Sequence, residues 1–190
     1  MKNAKKKEID LPFDVENHTE AIRPKFDGEA GLKDLLLQEL QMMYYVEKSV
    51  SKIFPKLIKN SCNFELIESL HIHQKDTEKQ LQRIEESFNY LKVNPILRRC
   101  LAIEAMVEEL EEMIEITKFG MTRDAAIIVA LHKIEHYEIA SYSIVKLYAE
   151  NLKEINIEKL LELSLNEEIV AQMRLAKIAN TIRFYKLENP

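Results

Sequence analysis

Six side chains in this sequence have the types and spacing that a buried metal site needs: Glu47, His73, Asp76, Glu135, Glu138 and Glu168. Glu135 and Glu138 fall on a helical stripe with Ile128, Leu131, Tyr142, Val145, Ala149 and Leu152, the face expected to be buried. Glu47 shares a stripe with Leu32, Leu36, Met43, Val50, Phe54 and Leu57, and Glu168 one with Leu161, Ser164, Ala171, Leu175, Ile178 and Ile182. A carboxylate taken out of water is costly, so each asks for a cation, a proton or hydrogen bonds. His73 and Thr77 lie on the inner face of a further segment, with Asp76 on its flank. Asp76 follows Glu47, and Glu167 follows Glu138, by a step of 29 positions in both cases, which suggests two matched helical hairpins. An acid near the middle of each of four long helices meets the others at one level, the geometry of a dimetal carboxylate centre with His supplying nitrogen.

The elements that must position these groups are helices. Three glycines and five prolines in 190 residues are too few for an all-β chain, and Leu, Ile, Glu and Lys supply helix-forming material. The periodicity predicts helices over residues 32–60, 64–91, 96–118 and 122–152, and a last one from residue 156, with Thr122 as a cap. The short 96–118 segment, rich in Glu, is expected to cover a crossover between two antiparallel hairpins. The expected fold class is all-α, a four-helix bundle with an extra crossover helix, in a domain over residues 31–187. Residues 1–30 mix Lys5, Lys6 and Lys7 with acids and prolines and are expected to form a flexible arm.

A net charge of −5 leaves no general footprint for nucleic acid. No apolar run reaches the roughly 20 residues of a membrane span, and the N-terminus carries no apolar signal region. Cys62 and Cys100 form no CxxC pair and are expected to be reduced thiols of a cytoplasmic protein.

Several segments together resemble the bacterial YciE/YciF-type family: TRDAAIIVALHKIEHYEIASYS at 122–143, CLAIEAM at 100–106, YYVEKSV at 44–50, HIHQKDTEKQLQRIE at 71–85 and LNEE at 165–168. That resemblance implies a ferritin-like bundle, usually a homodimer, associated with stress responses. It carries the metal-site acids onto Glu47, Asp76, Glu135, Glu138 and Glu168, with His73 a further candidate. This chain departs from the family pattern at Met42, where an acid is common, and at Asp76, where Glu is common. Met42 offers no oxygen to a hard cation, and Asp76 reaches one methylene less far than Glu.

The leading expectation is a di-iron carboxylate protein, with manganese as the other metal, handling iron or peroxide by ferroxidase or peroxidase-type chemistry. One alternative is a metal-free dimeric interaction protein whose inward acids are protonated or paired with Arg83 and nearby lysines. A manganese catalase-like peroxide dismutase is the other.

Overall fold

Five helices account for nearly all of residues 27–181, the part of the chain that the structure, a computed structural model, describes. They are α1 (Gly28–Asn60), α2 (Phe64–Tyr90), α3 (Leu101–Ile116), α4 (Met121–Asn151) and α5 (Ile155–Thr181). No strand occurs among the described residues. The expected arm lies outside them except at its end, where α1 already begins at Gly28; residues 182–187 of the expected domain also lie outside. No helix of the described residues is long and apolar enough to cross a membrane.

Short turns make α1 and α2 one antiparallel hairpin and α4 and α5 another. The packing is circular: α1 against α2, α2 against α5, α5 against α4 and α4 against α1. The chain returns from the end of α2 to the start of α4 through α3, which lies along the outside of α1 and α4. The result is an all-α, ferritin-like four-helix bundle with an added crossover helix.

Because α3 covers it from outside, α4 is buried on two faces. Ile128, Leu131, Tyr142, Val145 and Ala149 face the bundle as the periodicity predicts, and Ala126, Ile127, Ala130 and Ile134 are buried as well. The α3 residues Ile103, Leu110 and Ile114 join the same apolar cluster. A helix apolar on more than one side is what a fully enclosed position selects.

Two expectations are corrected at the helix starts. The segment 94–100 is not the first turn of α3: the Arg98 amide donates to the Gln41 carbonyl of α1 at 3.1 Å, and Cys100, at the N-cap, is extended. Pro95 fixes its own backbone and biases Asn94 away from helical geometry, which favours this extended approach. At α4 the N-cap is Gly120 rather than Thr122, with φ 130° and ψ −161°. Only glycine adopts that conformation readily.

The first turn of α4 closes one end of the bundle. Asp124 is buried and turns away from its own helix towards the α1–α2 connection. Its Oδ1 accepts the Cys62 amide at 2.9 Å, and its Oδ2 accepts the Asn63 amide at 2.9 Å and the Cys62 thiol at 3.0 Å. That hydrogen bond, with burial and the carboxylate charge, pushes the Cys62 thiol pKa up. Arg123 donates from Nη1 to Asn60 Oδ1 at 2.8 Å and from Nη2 to the Thr117 carbonyl at 2.5 Å. Asp124→Ala strips acceptors from two backbone amides and should lower stability by roughly 2–3 kcal/mol, whereas Cys62→Ala should cost no more than about 1 kcal/mol. Gly120→Ala meets open space but a forbidden backbone, and should cost roughly 1–3 kcal/mol. Urea-denaturation midpoints of the three variants check this ordering.

Candidate metal centre

A polar layer divides the core of the bundle. Towards one end, Val50, Phe54, Leu57, Leu66, Leu70 and their neighbours form one apolar cluster. Towards the other, Leu36, Leu40, Phe88, Val145, Leu161 and others form a second. Between them lie Glu47, His73, Thr77, Gln80, Glu135, Glu138 and Glu168, each at most 3% exposed.

Each helix presents its part by helical repeat. From α1, Glu47 accepts the Tyr142 hydroxyl on Oε1 at 2.5 Å, while its Oε2 has no partner. From α2, His73, Thr77 and Gln80 succeed one another at four and three residues, and the His73 ring packs edge-on to Phe54 with centroids 5.0 Å apart. From α4, Glu135 and Glu138 stand one turn apart, and all four of their carboxylate oxygens lack hydrogen bonds. From α5, Glu168 accepts Gln80 Nε2 on Oε1 at 2.6 Å and leaves Oε2 free.

His73, Glu138 and Glu168 each place a donor atom so that all three lie within 4.8 Å of one another. His73 Nδ1 is 3.3 Å from Glu135 Oε1 and its Nε2 is 3.5 Å from Glu168 Oε2, separations at which charge acts strongly. Glu47 adjoins the group closely enough for its charge to raise the pKa of Glu138.

Asp76 is set apart from the others. It is half-buried, and its Oδ1 accepts Lys79 Nζ at 2.7 Å. Glu167 likewise faces outward into the fork of Arg83, at 2.5 and 2.7 Å. The 29-residue spacing therefore selects the flanking acids. The inward positions come one residue later on each second helix, at Thr77 and Glu168, 30 residues after Glu47 and Glu138. Arg83 neutralises Glu167 and not the buried layer. No lysine or arginine pairs with Glu47, Glu135, Glu138 or Glu168 among the described residues.

Gln80 and the Tyr142 hydroxyl contact escape the search for ionisable ligands. Gln80 could have been found from its place on the His73–Thr77 stripe, but a neutral amide gives no charge signal. His71 and His136 are exposed, as expected of positions off the inner stripes.

Electrostatics follow from this burial. Desolvation, helped by the charge of Glu168, pushes the Glu47 pKa up to about 8 against the opposing Tyr142 hydrogen bond and His73. Glu138 is held well above the carboxylate range by burial and then by Glu168 and Glu47. Glu135 is also raised by burial, with His73 opposing. For His73, burial lowers the pKa, but Glu168 and Glu135 outweigh it and raise the imidazole well above its ordinary value. Four carboxylates and one imidazole suit hard to borderline cations such as iron or manganese, and the unpartnered oxygens are the atoms such ions would take.

Known proteins fit this architecture. Protein YciF of Escherichia coli K12 is 35% identical over 161 residues, covering 83% of this chain and 96% of the relative. The crystal structure of the E. coli stress protein YciF superposes with a TM-score of 0.76 at 33% identity, over 80% of this chain and 96% of that one. YcfI from Rhodopseudomonas palustris gives a TM-score of 0.75 at 33% identity, over 85% of this chain and 98% of its own. A protein from Xanthomonas campestris, at 19% identity and a TM-score of 0.63 over 80% and 92%, shares the fold. The family described as a domain of unknown function, DUF892, matches residues 31–186, and with the conserved bundle and its relatives at 33–35% identity this chain belongs to that YciF-type family.

Proposed function

We propose that the buried layer is a carboxylate metal centre that takes two ions of iron, with manganese as the alternative metal, in a protein that handles iron or peroxide under stress. The observation that carries this reading is a set of six buried carboxylate oxygens on Glu47, Glu135, Glu138 and Glu168 without hydrogen-bond partners. Native interiors leave few polar atoms unpaired, and here they converge from three helices beside an imidazole. His73, Glu138 and Glu168 form the nucleus of the site, with Glu47 and Glu135 completing it. Asp76, committed to Lys79, takes no part in this scheme.

Iron bound there supplies one-electron chemistry towards oxygen or peroxide. The chain's own residues set the conditions. Gln80 holds one oxygen of Glu168 and Tyr142 one oxygen of Glu47, which leaves the second oxygen of each carboxylate aimed and free. The apolar clusters on either side restrict water, which strengthens every charge interaction within the layer. Protons held by Glu47 and Glu138 must leave when a cation enters, so uptake releases protons and tightens as pH rises.

A second reading has its own support. The raised pKa values of Glu47, Glu135 and Glu138 mean that protons can stand in for cations, as a metal-free dimeric interaction protein would require. The two readings separate on stability. Groups with a pKa raised on folding bind more protons in the folded state, so metal-free protein should lose stability as pH rises from about 5 to 8. Under the metal reading, anaerobic Fe(II) or Mn(II) restores the melting temperature at pH 8, and Glu138→Gln/Glu168→Gln abolishes that rescue and flattens the pH slope. Metal content and stoichiometry of the purified protein, with melting curves across this range, provide the check. Binding no greater than in the double variant would sink the metal reading, and a retained pH slope would then leave the proton-filled layer.

A further inference from the structure

On the outer side of α4, away from the carboxylate layer, two histidines share one patch. His132 and His136 are four residues apart, with ring centroids separated by 4.5 Å and planes tilted by 59°. His136 Nδ1 lies 2.7 Å from the carbonyl oxygen of His132. A carbonyl only accepts, so Nδ1 carries the proton and Nε2 keeps its lone pair. Metal-ligating histidines adopt this arrangement, donating the other ring N–H to a backbone carbonyl that fixes the tautomer and orientation.

His132 is half-buried, with its Nδ1 enclosed and without a hydrogen-bond partner. It lines a cleft of about 450 Å³ between α4 and α5 whose walls are otherwise apolar apart from the Asn180 amide. The one cation on this stretch, Lys133, is engaged by Glu109 at 2.5 Å.

The run His132-Lys133-Ile134-Glu135-His136 has the His-x-x-Glu-His spacing of some helix-borne zinc peptidases. The structure disfavours that use, because Glu135 is fully buried in the layer. The pair is suited to binding and not to hydrolysis.

We propose that His132 and His136 form a second metal site, chelating one borderline divalent cation such as Cu(II), Ni(II) or Zn(II) between two imidazoles on the outer face of α4. Solvent completes its coordination. Nitrogen donors select these ions, whereas the buried carboxylates select harder ones, so the two sites differ in preference.

Cu(II) titrated into the full-length protein, with electron paramagnetic resonance as the readout, tests this. Wild type should show nitrogen coupling from two imidazoles. His136→Ala alters an exposed side chain and should weaken binding by about tenfold or more, with His132→Gln acting similarly and His71→Ala having no effect. Glu138→Gln/Glu168→Gln should keep the copper signal if the variant retains its helical circular dichroism. Unchanged affinity and coupling in both His136→Ala and His132→Gln would overturn the proposal, whatever the Glu double variant does. Fe(II) uptake measured on the same proteins keeps the two sites apart: no uptake by wild type, with its copper binding intact, would count against the buried centre alone.

Discussion

Carboxyl groups buried in the middle of the bundle, each needing a proton or a cation, are the constraint on which the rest of this structure depends. Moving a carboxylate into a protein interior costs several kcal/mol even after relaxation, and four of them meet in one layer with no basic side chain among the described residues to offset them but His73. The apolar clusters above and below must outweigh that cost while keeping water out. Long, regular helices satisfy both demands, because their backbones need no partner from the layer and their side chains arrive at fixed heights.

Fixed heights require fixed register. The contacts of Asp124 to the amides of Cys62 and Asn63 tie the start of α4 to the turn between α1 and α2. Glu135 and Glu138 follow 11 and 14 residues later on the same helix, a rise of about 16–21 Å. Gly120 lets the chain turn sharply into that first turn, and Arg123 fastens the preceding segment to α1 through Asn60 and Thr117. A clasp at one end thus governs the alignment of side chains near the middle.

Much of this was legible in the residues. The 3.6-residue period places Glu47, Glu135, Glu138 and Glu168 on buried faces, where the structure has them, and the helices and their hairpin order follow from composition, breaks and period. The failures have separate physical causes. A single position on a helix turns a side chain by about 100°: the period already puts Thr77 and Glu168 inward and Asp76 on the flank, whereas the 29-residue step picks the flanking Asp76 and Glu167. The start of α4 misled for a different reason: hydroxyl caps are common, but the positive φ here admits only glycine. Ile96 and Leu97 read as helical because they are apolar, yet they are exposed and the chain there is extended against α1. Gln80 lacked any charge to draw notice.

Thr77 stands where the second hairpin has Glu168, so the two-fold pattern of the helices is not carried through to their chemistry. Along α2 the layer meets an imidazole, a hydroxyl and an amide, and along α4 and α5 it meets acids. The interior is therefore electrically lopsided. Whatever fills the layer, proton or ion, is drawn by carboxyl groups of α1, α4 and α5 and meets only the His73 imidazole as a titratable group of α2.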